Sequence, residues 1–494
     1  MQWYPVLSLQ DSDPERAHAV QLLGKDLVVW RNNEGRWSCF DDRCPHRAAP
    51  LTEGRVEKDG SLLCAYHAWR FDADGKCLRI PQSDSGGRDE AQVKACAKVY
   101  PTQVAQDMIW VWGENGPDAG IESTLSTPAL VPDLIDAKGG TVNADAIAQR
   151  DVPYGWETLM ENLFDPSHVV VSHHGIAGTR DQAKPLDFEL VDSVVSKAGF
   201  SMLNKTPRGN AKYSTATLYP PSLAVVHYEN QDGSSSKVIL YGSPMRPGWC
   251  RLLGRQVRVL LVCGKTGLAE RKLCLRICSC LPNYRSLRAD CFRLKMHKLP
   301  TWVQHVLGHK FLHQDMVFLH DTNSVALMLQ EKILASAGYD SSTYTEAVFV
   351  PTAADKGIIA LRKWITKFGR GGPTYAAGCD PAMPPRERDR DTLFNVYEQH
   401  TKGCLSCLAA VKRVNRYLKT AKVSAVASLA WAILRGARAA GVSASTSSSV
   451  LNLVTARAML PGLATMLTSL GAIKVLDSLH TALHTASFHH QDND

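Results

Sequence analysis

Two short Cys/His pairs constrain the N-terminal part of the chain more than any other feature. Cys44-Pro-His46 is followed, after 17 intervening residues, by Cys64-Ala-Tyr-His67. Proline and glycine residues within and between the pairs discourage helix, so each pair is predicted to lie on a loop. Structural zinc sites usually contain Cys-x2-4-Cys or His-x3-5-His, and one residue between Cys and His is tight for chelating one ion. The spacing favours one metal on the two cysteines and another on the two histidines.

That arrangement is the ligation of a Rieske [2Fe–2S] cluster, with Cys44 and Cys64 on one iron and His46 and His67 on the other. Neutral imidazoles in place of thiolates make their iron easier to reduce, and a histidine edge near solvent gives the electron an exit. The first constellation is therefore interpreted as an electron-transfer centre.

The chain is predicted to contain several domains, because 494 residues exceed one comfortable hydrophobic core. Short β-rich runs between turn signals indicate an all-β domain over residues 1–115. Helical stretches flanking strand-like runs over 121–375 are typical of an α+β domain. A Pro/Gly-rich boundary leads to a segment with a Cys-x2-Cys motif over 376–422, and then to a helical tail over 423–494.

Charge points to a membrane surface rather than to nucleic acid. The 56 basic and 48 acidic residues give a net charge of +8, which is too mild and scattered to indicate nucleic-acid binding. Seven Lys or Arg residues and no Asp or Glu lie between positions 412 and 438, which suits an anionic membrane. The uncharged run over 458–473 is shorter than the about 20 residues needed to span a bilayer. We therefore expect membrane association. The N-terminus shows no recognisable targeting segment.

A second constellation lies between residues 157 and 175, where Asp165, His168 and His173 occur close together. Two histidines and one distant carboxylate on one side of Fe(II) are the ligands of non-haem iron oxygenases. Residues five apart on an ideal helix are turned by about 140°, so a π-bulge or a helix end must bring the two rings together. His174 is the alternative to His173.

The sequence resembles the Rieske non-haem iron oxygenases. "CPHRAAPLTEGRV" and "LLCAYHAWRFDADGKC" resemble their Rieske domain, although Ala68 stands where the family commonly has Gly. The spacing Asn162-x2-Asp165-x2-His168-x4-His173 resembles their mononuclear iron motif. The resemblance implies the fold class α+β: an all-β Rieske domain, a helix-grip-like α+β catalytic domain and a C-terminal helical, membrane-associating tail.

The resemblance also implies roles for further residues. "HKFLHQDMVFLHDTN" resembles the family's late helix, with Asp315 as the third ligand of the mononuclear Fe(II) and Asp321 as the alternative. The family's Asp at the place of Asp165 conducts electrons from the second Rieske histidine, here His67, of one subunit to the iron of its neighbour. The family therefore implies a homotrimer and a catalytic role for Asp165.

Within the family, residues 154–186 and the C-terminal half resemble the pheophorbide a oxygenase branch. This implies a chloroplast enzyme, at the thylakoid or inner envelope membrane, that uses O2 and electrons from reduced ferredoxin to open the pheophorbide a macrocycle to red chlorophyll catabolite. Chlorophyllide, protochlorophyllide or a phyllobilin is the alternative substrate. A Rieske redox component without oxygen chemistry and a zinc-stabilised binding module are the competing hypotheses.

Cys404 and Cys407 form a lone Cys-x2-Cys motif. Zinc is not expected, since no second Cys or His pair is in range. The resemblance favours a redox-regulatory dithiol that thioredoxin reduces, and two inert thiols are the alternative.

Overall fold

The structure is a computed structural model that describes residues 2–83, 95–131, 134, 141–260, 298–335, 344, 348–380, 382–442, 448–486 and 488. The chain divides into two compact units. The first comprises Met1–Leu393 with Phe488–Asp494, and the second comprises Phe394–Ser487.

The first unit begins with a region of short antiparallel strands. In chain order these are β1 (Trp3–Ser8), β2 (His18–Leu22), β3 (Lys25–Arg31), β4 (Trp37–Asp41), β5 (Arg55–Val56), β6 (Leu62–Leu63), β7 (Arg70–Phe71), β8 (Cys77–Arg79), β9 (Val99–Tyr100), β10 (Thr102–Ala105) and β11 (Met108–Trp112). They form three sheets with the orders β1-β11-β10, β2-β3-β4-β9 and β5-β6-β7-β8. The Cys/His pairs lie in the loops that follow β4 and β6.

Strand β3 separates two hydrophobic clusters because successive side chains of a strand point to opposite faces. Leu27 and Val29 pack on one side, with the residues of β1 and β11. Val28 and Trp30 pack on the other side, in the cluster that also contains Cys44 and Cys64. The alternation therefore builds a rigid support directly beneath the two cysteines.

The rest of the first unit is built on an eight-stranded antiparallel sheet. Its strands are β12 (Thr141–Ala144), β13 (Ala148–Val152), β14 (Phe188–Leu190), β15 (Phe200–Asn204), β16 (Ala211–Tyr219), β17 (Leu223–Asn230), β18 (Ser235–Arg246) and β19 (Trp249–Leu260). The order is β12-β19-β18-β17-β16-β15-β14, and β13 also pairs with β19. The described residues of this unit also form six α-helices. They are α1 (Ala119–Thr124), α2 (Trp156–Leu163), α3 (His168–Ser172), α4 (Thr301–Ala335), α5 (Lys356–Lys367) and α6 (Arg390–Leu393).

The small sheets are joined to the large sheet by backbone and side-chain hydrogen bonds. The amide of Leu23 donates to the carbonyl of Pro244 at 2.8 Å, in the turn between β2 and β3. The buried guanidinium of Arg251 on β19 donates to the carbonyl of Val6 at 2.8 Å and also pairs with Asp151. The Rieske-like region and the large sheet thus share one hydrogen-bonded framework.

Helices α2 and α5 are clamped together next to the second constellation. The guanidinium of Arg362 on α5, which is 3 % exposed, pairs with Glu157 and Glu161 on α2. Near the start of α5, a Cβ atom at Gly357 would lie 2.2 Å from the carbonyl oxygen of Phe164, so only glycine permits this approach. The clamp fixes the end of α2, immediately before Asp165.

The second unit contains α7 (Val396–Gln399), α8 (Leu405–Val442) and α9 (Ser448–His484). Helices α8 and α9 run antiparallel, because Ser424 contacts Ser469 while Gly436 contacts Met459. Within α9, Leu453–His484 is long and apolar enough to cross a membrane, by length and composition.

Candidate functional site

The two Cys/His loops have the same backbone conformation. The amide of Ala48 donates to the carbonyl of Cys44 and that of Ala68 donates to the carbonyl of Cys64, both at 2.9 Å. Ala48 and Ala68 have φ angles of 57° and 59°, in the left-handed region that favours glycine. Each loop therefore turns back sharply after its pair, which explains why glycine is common at the position of Ala68.

The loops place the two cysteines inside and the two histidines outside. Cys44 and Cys64 are buried, while His46 is exposed and His67 is half-buried. The two imidazole ring centroids lie 4.6 Å apart. Burial, and then the nearby Cys64, raise the pKa of the Cys44 thiol to about 12. A thiolate at Cys44 is therefore stable only beside strong positive charge, which an iron ion supplies, so this residue fits a cluster ligand.

An indole holds one of the imidazoles in place. The ring of Trp69 stacks on that of His46, with centroids 4.5 Å apart and an angle of 6° between the planes. The sequence analysis did not identify this contact, because the two residues lie in different loops. The stacking restricts rotation of an otherwise exposed ring.

The second constellation forms where a short helix ends. Helix α3 ends at Ser172, and His173 follows with φ −95° and ψ 35°. The change in backbone direction brings its ring centroid to 5.4 Å from that of His168. Asp315 on α4 lies beside them, and one donor atom each from His168, His173 and Asp315 lies within 4.8 Å of the others. Two imidazoles and one carboxylate thus converge on a single point, which suits Fe(II).

Neighbouring side chains orient His173 toward that point. Nδ1 of His173 hydrogen-bonds to Oε1 of Gln314 at 3.2 Å, and the ring stacks on Phe311. Nε2 is buried and lies 3.2 Å from Oδ2 of Asp315, and no described residue forms a hydrogen bond with it. A buried nitrogen of this kind beside a carboxylate fits a metal ligand. Gln314 and Phe311 were missed from the sequence, since neither residue type marks a metal site.

Asp165 contacts the other imidazole. Its Oδ2 lies 3.5 Å from Nδ1 of His168, and its Oδ1 accepts the amide hydrogen of Ser167 at 2.8 Å. Burial opposes protonation of His168, but the adjacent carboxylate of Asp165 and the charge of Asp315 raise its pKa overall. Burial raises the pKa of Asp165, but contacts with His168 and Ser167 outweigh burial and lower it. The pair is an imidazole positioned by a carboxylate.

The alternative ligands lie elsewhere. Nδ1 of His174 accepts the amide hydrogen of Arg180 at 3.0 Å, so this ring is engaged outside the cluster. Asp321 forms an ion pair with Arg386 at 2.6 Å. Neither belongs to the convergent group of His168, His173 and Asp315.

Helix α4 carries further buried histidines on one face. His305, His309 and His313 recur every four residues, and the ring centroids of successive members lie 6.5 Å apart. Burial, and then the charges of Arg150 and Lys310, lower the pKa of His313 to about 2. This ring is therefore neutral.

Comparison with protein families matches both parts of the first unit. The Rieske [2Fe–2S] domain family matches residues 2–101, and the pheophorbide a oxygenase domain family matches residues 219–332. Pheophorbide a oxygenase of Oryza sativa subsp. japonica is 35 % identical over 83 % of this chain and 72 % of its own length. The chain belongs to the pheophorbide a oxygenase family. The Arabidopsis thaliana pheophorbide a oxygenase is 34 % identical over 88 % of this chain and 76 % of its length.

This pheophorbide a oxygenase family member also shares the fold of solved structures. NdmA of Pseudomonas putida CBB5 with caffeine superposes with a TM-score of 0.50 at 17 % identity, covering 78 % of this chain and 97 % of NdmA. Dicamba monooxygenase bound to 3,6-dichlorosalicylic acid gives 0.51 at 17 % identity, covering 75 % and 97 %. The predicted α+β fold class, a Rieske β domain followed by an α+β catalytic domain, is confirmed.

As a family member the protein is a Rieske non-haem iron oxygenase, which carries a [2Fe–2S] cluster and a mononuclear iron. The family takes electrons from a ferredoxin-type donor and uses O2 and an organic substrate. The two pheophorbide a oxygenases are chloroplastic, as is flavonoid 8-hydroxylase 2 of Ocimum basilicum, which is 32 % identical over 84 % of this chain and 74 % of its own length. The enzyme class predicted from the sequence is confirmed.

Proposed function

We propose that this enzyme oxygenates a chlorophyll-derived tetrapyrrole, and that its substrate is pheophorbide a, opened to red chlorophyll catabolite. The convergence of His168, His173 and Asp315 carries the oxygenase part of this proposal, because a pure electron carrier needs no such site. The two relatives named pheophorbide a oxygenase, at 34 and 35 % identity, support the substrate.

In this proposal Cys44 and Cys64 hold one iron of the Rieske cluster, and His46 and His67 hold the other. The cluster supplies single electrons. The buried cysteines anchor the iron–sulfur cluster to the hydrophobic residues on one side of β3, while the imidazoles face outward. His67 is the exit for the electron.

We further propose that His168, His173 and Asp315 hold the mononuclear iron, whose chemistry is the activation of O2. Gln314 fixes the ring of His173 from the opposite nitrogen, and Asp165 does the same for His168. Asp165 also receives the electron from His67 of a neighbouring subunit, in the homotrimer that the family implies. The carboxylate thus combines a positioning role with electron transfer.

The test is turnover by the full chain with reduced ferredoxin, ¹⁸O2 and pheophorbide a, followed by mass spectrometry. We expect an open-chain product that retains one ¹⁸O atom. His173→Ala is expected to lose turnover and keep the optical and EPR spectra of the cluster. Chlorophyllide a, protochlorophyllide and a phyllobilin are assayed in parallel, and a product from one of these alone overturns pheophorbide a as the substrate. Rapid reduction of the cluster by ferredoxin without any product indicates a redox component instead.

A flavonoid is the second candidate substrate, since flavonoid 8-hydroxylase 2 is similar to this chain at nearly the same identity. The same assay with a flavone distinguishes the two. A singly hydroxylated flavone, with tetrapyrroles unchanged, supports this second function.

The long helices α8 and α9 support membrane association at the thylakoid or inner envelope. Large apolar side chains are exposed along both, among them Val426, Leu434, Leu453, Leu467 and Val475. Lys412, Arg413, Arg416, Lys419 and Lys422 form an exposed basic series on the first turns of α8. Such a combination binds anionic lipid surfaces.

Flotation of the full chain with phosphatidylglycerol vesicles tests this association. We expect the protein to float with these vesicles, and replacement of Lys412, Arg413 and Arg416 by Gln to weaken binding in low salt. A protein that remains at the bottom of the gradient with vesicles contradicts the proposal.

A further inference from the structure

The second unit contains a compact group of potential metal ligands that are not among the residues proposed to bind iron. His400 lies between α7 and α8, and Cys404 and Cys407 lie at the start of α8. Together they have the spacing His-x3-Cys-x2-Cys. One donor atom each from His400, Cys404 and Cys407 lies within 4.8 Å of the others. All three side chains are buried, and Cys407 is only 1 % exposed.

We propose that His400, Cys404 and Cys407 bind a zinc ion. Nε2 of His400 lies 3.3 Å from Sγ of Cys407. Nitrogen and sulfur ligands of one tetrahedral zinc lie about 3.5 Å apart, given Zn–N of about 2.0 Å and Zn–S of about 2.3 Å. One nitrogen and two sulfur atoms provide three positions of a tetrahedral site, and they are the ligand types that zinc prefers.

The backbone is arranged to stabilise a thiolate at Cys404. The amide of Cys407 donates to Sγ of Cys404 at 3.4 Å, and the amide of Leu408 donates to the carbonyl of Cys404 at 2.9 Å. Cys404 therefore caps the start of a 38-residue helix, whose N-terminal dipole favours negative charge. Metal-bound cysteines are thiolates, and the amide of Cys407 and the N-terminus of α8 would both stabilise a zinc-bound sulfur at Cys404.

Burial favours zinc over a regulatory dithiol. Thiol–disulfide exchange requires that a partner thiolate reach one of the two sulfur atoms in line. Both sulfur atoms are enclosed here, and a histidine nitrogen lies against one of them. The sequence analysis considered only the Cys-x2-Cys pair, and His400, four residues earlier, was the signal that would have added a third ligand.

The site also explains how α7 and α8 are joined. Asn395 caps α7 through the amide of Glu398, and the backbone then turns within a few residues to start α8. The hydroxyl of Thr401 in this turn donates to the carbonyl of Leu483 on α9 at 2.7 Å. A zinc ion would lock the turn at the point where the two long helices meet, in the way that structural zinc stabilises small folds.

The first experiment is metal analysis of the full chain, purified with a complete Rieske cluster so that zinc does not occupy the iron sites. We expect about one zinc per chain, with sulfur at about 2.3 Å and nitrogen at about 2.0 Å in zinc-edge X-ray absorption. Cys404→Ser and Cys407→Ser are each expected to lose the zinc and retain the cluster spectrum. Cys379→Ser, at a partly exposed thiol in the first unit, is the matched control and should retain the zinc.

A second measurement needs no variant. A mercurial reagent that blocks thiols should release the zinc from the wild-type protein, as measured with a chromogenic chelator. Absence of zinc from protein made in zinc-supplemented medium overturns the proposal, as does equal zinc in all variants. If the protein contains no zinc and peptide mapping finds a Cys404–Cys407 disulfide after oxidation, the two cysteines form a redox dithiol and the metal site is ruled out.

Discussion

The two carboxylate oxygens of Asp165 have different partners, the imidazole of His168 and the backbone amide of Ser167. Oδ2 lies 3.5 Å from Nδ1 of the imidazole, and Oδ1 accepts the amide hydrogen of Ser167 at the start of α3. The carboxylate thus supports the helix that carries His168 and also orients the ring of that residue. A local turn contact with Ser167 and the contact with the ring of His168 therefore coexist in one side chain.

Asp165→Asn separates these two roles. The amide oxygen of Asn can still accept from Ser167, so we expect the fold and the cluster spectrum to be retained. Loss of the negative charge beside His168 removes its orientation and lowers turnover by at least about 10–100-fold. Turnover and the EPR spectrum of the cluster are measured on the same sample. Asp321→Asn, at an exposed ion pair, is the control and should retain activity. Loss of the cluster in Asp165→Asn contradicts the proposed role.

Gln314→Leu tests how His173 is held. The substitution keeps the side chain's bulk and removes the oxygen that hydrogen-bonds to Nδ1 of His173. We expect Fe(II) affinity to fall by about 10–100-fold, because loss of a ligand's hydrogen-bond partner typically has this effect. Titration of the iron-depleted protein with Fe(II) measures the change. Gln231→Leu, at an exposed turn, is the control. Unchanged affinity in Gln314→Leu shows that Phe311 and the backbone suffice.

Ala68→Gly is expected to stabilise the cluster-binding loop. The left-handed backbone of Ala68 costs about 1–2 kcal/mol of folding free energy, which glycine would recover. The greater backbone freedom of glycine in the unfolded chain cancels about 0.4–1 kcal/mol of that gain. The net stabilisation is therefore between about 0 and 1.6 kcal/mol, and Ala48→Gly should act in the same direction. The readout is the temperature at which the visible absorption of the cluster is lost. Ala65→Gly, which lacks a positive φ, should lower that temperature or leave it unchanged.

Arg362→Met tests the clamp between α2 and α5. Removing one partner of a buried ion pair costs about 3–5 kcal/mol, because the ionised carboxylate of Glu161 loses the guanidinium that compensates its burial. Burial raises the pKa of Glu161, and Arg362 opposes that rise. In the variant the pKa therefore rises further above its unfolded value, so the folded state gains protons and stability as pH falls. Melting temperatures at pH 8 and pH 5 should show a smaller deficit at pH 5.

The control for the clamp is Arg386→Met, whose partner Asp321 lies at an exposed pair. We expect a change of less than about 1 kcal/mol at either pH. A deficit in Arg362→Met that is equal at both pH values indicates that lost packing, rather than the unpaired charge of Glu161, destabilises the variant.

Most of the fold class followed from local patterns. The short β-rich runs between turn signals, such as that of β3, indicate strands, because a short apolar run bounded by turn residues is readable from local sequence. The clamp of Arg362 with Glu157 and Glu161 was not predictable, since a charged residue on a helix is solvated far more often than it is buried.

The sequence by itself determined the kind of centre in the first unit, because each Cys/His pair lies within a few residues and its spacing excludes most single-ion sites. It also placed Asp165, His168 and His173 in one segment. Only the tertiary structure decided that α3 ends before His173, that Asp315 of a distant helix meets both rings, and that Trp69 stacks on His46. It also brought His400 against Cys407. The physical reason is that ligand type is encoded locally, whereas convergence depends on helix ends and on packing between residues that are far apart in the chain.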